Sequence, residues 1–127
     1  MPPTRTGQHA LMTLPVLGPT PYYQPVRIIG HTATQLHLDN GRRFRRADLT
    51  AIGYTEDEKR AGGFVARLIP DTHPYYRTAR DQHIANLLRT TAHQQLRQWQ
   101  RYPYSHTTAR QAAAALEQLA DHLDPKD

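Results

Sequence analysis

Apolar and polar residues alternate on both sides of Asp39-Asn40-Gly41. Period-two alternation around such a tripeptide predicts two strands joined by a tight turn. The register follows from burial. A two-residue Asn40-Gly41 turn sets Leu38 opposite Arg43 and His37 opposite Phe44, and cross-strand partners share a face. Phe44 would then lie on the other side of the sheet from Leu36 and Leu38. A three-residue loop instead pairs Leu36 with Phe44 and leaves Gly41 at the left-handed position of a type I turn with a bulge. A slip of one residue would turn the apolar set into water, so the three-residue loop is expected. Leu36, Leu38 and Phe44 then face a core, while Gln35, His37, Arg43 and Arg45 line the outer face.

Other stretches before residue 70 carry shorter signals of the same kind. Residues 9–14 read as a first strand, and residues 1–8, polar and containing Pro and Gly, as a disordered amino terminus. Pro15, Gly18, Pro19, Pro21 and Pro25 then argue against regular structure. Val26 to Gly30 reads as a strand, with Arg27 on its polar side. Thr50 to Tyr54 suggests a further short strand. Thr55 and Glu58 have the spacing of a capping box that starts a helix of at most two turns, ended by Gly62-Gly63. Phe64 to Ile69 reads as a last strand, stopped by Pro70.

The period then changes. Ile84, Leu87, Leu88, Ala92, Leu96 and Trp99 follow the three-four spacing of an amphipathic helix, with a start at Thr78 and an end before Pro103. Thr108 and Gln111 suggest a second capping box. Ala109, Ala112, Ala113, Leu116, Leu119, Ala120 and Leu123 make the next stripe. The expected fold is α+β: a small antiparallel sheet or open barrel over 9–70, followed by an antiparallel helical hairpin within 71–127, packed on it or appended to it.

Composition narrows the function more than the fold. The 127 residues suit one small domain, and with 38% apolar residues the core must be modest. Without cysteine there is no disulfide and no thiolate metal site. That absence fits a cytoplasmic setting, and no apolar run approaches the ~20 residues of a membrane span. The formal net charge of +5 favours polyanionic partners, either nucleic acid or an acidic protein surface. Arginine supplies nearly all of the positive charge, as the genomic composition of a GC-rich source would also produce, so clustering matters more than the total.

No reaction is written in the chain. Eight histidines are present, but no two form a ligand pair at i, i+4 on a helix. Ser105 precedes His106 without a nucleophile-elbow context, and no glycine-rich phosphate loop occurs. Neither an enzyme nor a metal or cofactor site is expected. The arginines remain: Arg43 and Arg45 beside Gln35 and His37 on the hairpin, with Arg27 on the neighbouring strand. A secondary basic stripe, Arg89, His93, Arg97 and Arg101, recurs every fourth residue of the first long helix. Guanidinium groups suit phosphates and carboxylates alike.

The run Thr32-x-Thr34-Gln35, followed by Gly41, Phe44-Arg45-Arg46, Asp48 and Gly53, resembles small phage- and prophage-encoded proteins of unassigned function. These share a compact β module with a Thr-x-Thr-Gln strand and a Phe-Arg-Arg strand. The resemblance covers residues 26–54 and departs at Leu49, where a glycine often follows the aspartate. It implies a mobile-element accessory protein and no reaction. Three classes stay open: a module binding nucleic acid through the basic hairpin face; an interaction module or inhibitor docking on a host nucleic-acid-handling or defence complex; and a structural component of a virion or other assembly. The arginine clustering favours the first. DNA and RNA are not distinguished.

Overall fold

The computed structural model describes residues 7–15 and 20–123. The disorder expected for the amino terminus falls mainly on residues 1–6, outside the described residues, as do Gly18 and Pro19. The chain forms two compact units that divide between Arg80 and Asp81.

The first unit is a five-stranded antiparallel sheet in the order β4-β3-β2-β1-β5. Its strands are β1 (Gln8–Thr13), β2 (Tyr23–His31), β3 (Gln35–Leu38), β4 (Arg43–Arg45) and β5 (Leu68–Pro70). The sheet curls into a half-barrel, and residues 49–52 bridge its two edges. On one side Arg45 N–H donates to Thr50 O at 2.8 Å, and Ile52 N–H to Arg43 O at 2.9 Å. On the other, Ala51 N–H donates to Ala66 O and Leu68 N–H to Leu49 O, both at 2.9 Å. The stretch expected as a strand over 50–54 is therefore two isolated bridges, Phe44 with Ala51 and Thr50 with Arg67. Its role is to close edges rather than to extend the sheet.

Two prolines expected to exclude or end strands sit inside them. Pro25 pairs with Leu11 in β2. Leu14 N–H donates to Tyr22 O, so the two-residue period makes Leu11/Pro25 a pair without ladder bonds between them. The missing N–H of Pro25 thus points away from β1, where β3 has not yet joined, since β2 and β3 pair only from Ile28. Pro70 pairs with Ala10 in the edge strand β5, the placement a sheet tolerates. Gln8, assigned from sequence to the disordered tail, opens β1 and donates from Nε2 to Asp71 Oδ1 at 2.5 Å.

The hairpin register is the expected one. Leu36 pairs with Phe44, and Gln35 and His37 pair with Arg45 and Arg43. Gly41 adopts φ +85°. Ile28, Leu36 and Phe44 are fully enclosed, joined in one cluster by Ala10, Met12, Val26, Leu38, Ala66 and Leu68. Further along the chain α1 (Glu56–Arg60) carries the expected capping box. Its Glu58 does more than cap. The carboxylate is buried and accepts a two-pronged bond from Arg42, at 2.9 and 3.1 Å, while Oε1 also accepts from Thr55 N–H. A paired, fully bonded carboxylate is the form in which a charge is retained inside a core.

Helix α2 (Tyr76–Arg101) starts two residues before the expected Thr78. Pro74 pre-sets the entry, and His73 Nδ1 accepts from Tyr75 N–H at 3.0 Å. Its first turn belongs with the sheet: Ala79 and Tyr76 pack with Leu11, Tyr23 and Ile69 on the outer face of β1, β2 and β5.

In the second unit the remainder of α2 packs against α3 (His106–Leu123). His122 Nε2 lies 3.0 Å from Asp81 O, joining the two far ends. Ser105 Oγ, not Thr108, accepts the first capping bond, from Thr108 N–H. The helix therefore begins at His106, two residues before the expected cap Thr108. No described helix is long and apolar enough to cross a membrane.

Candidate nucleic-acid interface

Outward positions on a curled antiparallel sheet form lateral rows, because cross-strand partners point the same way. One row crosses most of the first unit. Gln35 pairs with Arg45, and Arg45 adjoins Thr50 across the Phe44/Ala51 bridge. Thr50 pairs with Arg67, whose backbone bonds to Thr13, and Thr13 pairs with Tyr23. Arg45 and Arg67 thus flank Thr50, two strand spacings apart, or about 10 Å. The adjacent row holds Arg43 and His37 and ends on Gly30.

The predicted site residues separate within this frame. Arg43 and Arg45 are exposed on the outer face, and Gln35 and His37 are half-buried beside them. Arg27 is exposed on the same side but stands in a different row, between His9 and the loop residue Asp39. Its N–H donates to Asp39 Oδ1, and its carbonyl accepts from Asp39 N–H. Asp39 therefore sits nearer to Arg27 than Arg43 does, and the positive strip runs toward Arg67 instead. Sequence reasoning placed Arg67 in a strand and assigned it no role. The bridge through Thr50 joins segments 17 residues apart, which period-two alternation within either segment does not encode.

The arginines also differ in what holds them. Arg45 donates from Nη1 to Ala51 O at 3.0 Å and to Thr50 Oγ1 at 3.3 Å, so half of its fork braces the bridge. Arg46 donates to Thr32 O at 2.8 Å, and Arg42 is consumed by Glu58. Among the described residues the guanidinium groups of Arg43 and Arg67 have no hydrogen-bond or ion-pair partner. His37 Nε2 is buried and has no partner among the described residues.

The turn between Arg45 and Thr50 contains a non-glycine residue with positive φ. Leu49 has φ +60°, the left-handed region that a glycine adopts without strain. The backbone at this position is one glycine suits, with a leucine in it. The side chain is half-buried and packs against the main cluster, which offsets the cost of that conformation. Asp48 orders the turn: Oδ1 accepts from Thr50 Oγ1 at 2.7 Å and from Thr50 N–H at 3.1 Å. The Thr50 hydroxyl bond is the main reason that its carboxyl is held below the ordinary aspartate range, with the backbone bond and nearby Arg45 adding to it.

Beside this turn lies a recess of about 360 Å³, whose lining includes Thr13, Asp48, Leu49, Arg67, Tyr23 and Tyr75. Burial pushes the Tyr23 phenol up to about 12, helped by its hydrogen bond and proximity to Tyr75. Tyr23 therefore stands in the lining of the recess as an uncharged aromatic, with the Tyr75 ring beside it.

The secondary stripe belongs to the helical unit. His93, Arg97 and Arg101 are exposed, and Arg89 is half-buried, donating to Asn86 Oδ1 at 2.9 Å. Among the described residues no three His, Asp or Glu side chains gather as a metal site would require. No protein-family model, curated protein or solved structure matches the chain.

Proposed function

We propose that the protein is a non-enzymatic accessory module that binds nucleic acid through the outer face of its curled sheet, in keeping with the mobile-element role that the resemblance implies. The observation that carries this reading is the arrangement of Arg43, Arg45 and Arg67. Three guanidinium groups leave one rigid surface, and the residues beneath them, Phe44, Leu36 and Ala66, are completely enclosed. Charge on a scaffold of that stiffness costs little ordering entropy on binding. Phosphates are the natural counterpart of spaced, exposed guanidinium groups. An acidic protein surface offers the same chemistry, which keeps an interaction module or inhibitor as the second reading. The unpartnered, buried Nε2 of His37 next to Arg43 favours neither.

The test is salt dependence. Contacts to phosphate act through counterion release, so affinity for labelled DNA and RNA should fall steeply as salt rises and vary little with sequence. Arg43→Ala combined with Arg67→Ala should weaken binding and flatten the log–log salt slope by about two units. Arg45 is the poorer choice, because its loss also removes the brace on Ala51 O. Arg89→Ala with Arg97→Ala should have the smaller effect. Equal losses from the two pairs would mean diffuse attraction without a site. No binding at low salt would end this reading and direct the same variants at acidic protein partners.

A further inference from the structure

The recess beside the Asp48–Thr50 turn is not explained by phosphate binding. It joins the arginine strip directly, since Arg67 borders it and Arg45 lies one residue position across from Thr50. Yet it presents an ionised carboxylate, Asp48, and an aromatic wall, neither of which suits a phosphate. We propose that this recess receives one unpaired nucleobase while the flanking phosphates lie outside on Arg45 and Arg67, so that the protein reads single-stranded rather than duplex nucleic acid. The proposal rests on the nucleic-acid reading above and adds the substrate class.

Four features support it. Tyr23 and Tyr75 both line the recess; Tyr23 is buried, whereas Tyr75 is 43% exposed and so accessible to a ligand. Stacking on tyrosine accepts any base, because every base has a π-face. Leu49, Leu68 and Ile69 add apolar lining, as a dehydrated base requires. Asp48 is fixed in orientation by two bonds from Thr50. Its negative charge repels a phosphate and attracts the amino or imino N–H groups that bases carry on their pairing edges. In a duplex those edges are occupied and the faces stacked, so a base reaches the recess only unpaired or flipped. Leu49 matters here as well. With its backbone in the left-handed region, Leu49 lines the recess together with the preceding Asp48.

The full-length chain is titrated with three fluorescein-labelled probes of equal length: a single strand, a duplex, and an abasic sugar-phosphate strand. The single strand should bind at least about tenfold more tightly than either of the others at the same salt. Tyr75→Ala should weaken single-strand binding by about 5- to 150-fold, leave duplex and abasic binding unchanged, and keep the salt slope. Tyr75→Phe, which retains the ring, should restore single-strand binding. Circular dichroism melting of both variants shows whether the fold is intact, and Tyr75→Phe serves as the informative variant if Tyr75→Ala does not fold. Equal, salt-sensitive binding of all three probes, unaffected by Tyr75→Ala, overturns the base pocket and leaves the arginine face standing. So does capture of a basic peptide that competes at Asp48 and Tyr75 without competition from a single strand. Failure of all three probes at low salt removes the arginine reading and the pocket together.

Discussion

In the β unit Ile28, Leu36 and Phe44 are completely enclosed, whereas in the helical unit Leu87, Leu116 and Leu123 remain 55%, 43% and 60% exposed. All six lie on stripes that hydrophobic periodicity assigns to a core. The difference is geometric. A curled sheet surrounds its concave face, so each inward side chain meets neighbours on its own strand, on adjacent strands and across the curl. Two helices touch along one line, and an apolar arc wider than that line stays uncovered. The buried positions on α3 are accordingly two alanines, Ala112 and Ala115. On α2 beyond Arg80 they are Asn86 and Ala92. Periodicity reports which residues share a face; it does not report how much of that face is covered. Arg43, Arg45 and Arg67 accordingly leave backbone positions whose neighbours, Phe44 and Ala66, are completely enclosed.

The comparison breaks if the sheet's core residues prove cheap to remove. Phe44→Ala should cost about 3–5 kcal/mol, the range for a fully buried aromatic, measured by chemical denaturation. Trp99, the only tryptophan, reports on the helical unit, while tyrosine signals are dominated by the sheet. A Phe44→Ala loss seen in the tyrosine transition but not in the Trp99 transition would show that the two units unfold separately.

A smaller effect sharpens the account of why the β unit is specific. Glu58→Gln leaves Arg42, whose side chain is 17% exposed, without its counter-charge. Breaking a buried pair from one side costs about 3 kcal/mol at the lower end of the usual range. Arg42→Met with Glu58→Met, which removes both charges, should recover most of that loss. If the double variant is as unstable as the single one, the pair contributes more than mutual compensation.

The smallest change is expected in the helical unit. Leu116→Ala should alter stability by no more than about 0.5 kcal/mol, as for an exposed site away from special features. A loss above 2 kcal/mol in the same Trp99-monitored denaturation would mean that this leucine is covered in solution, and the contrast between the units would then disappear.

Local chemistry was legible in the residues themselves. The turn at Asp39-Asn40-Gly41, the inward set of Leu36, Leu38 and Phe44, and the Thr55/Glu58 cap each depend on neighbours within a dozen positions, so spacing alone determines them. The two helices were equally readable from their period, though each starts two residues before its predicted cap, because His73 with Pro74 and Ser105 supply the entry instead. Prolines misled: whether Pro25 and Pro70 are tolerated depends on which side of a strand lacks a partner, a property of the assembled sheet. Half of the candidate site was visible in the same way. Arg43 and Arg45 followed from alternation, but Arg67 joined them only through the bridge at Thr50, Arg27 was displaced by its pairing opposite Asp39, and the recess between Asp48 and Tyr75 has no counterpart in any one segment. Alternation and helical period are set by backbone geometry over a few residues, whereas edge closure, the Arg42–Glu58 pair and the recess are set by which distant segments meet. That meeting depends on the total burial it achieves, and only the folded chain decides it.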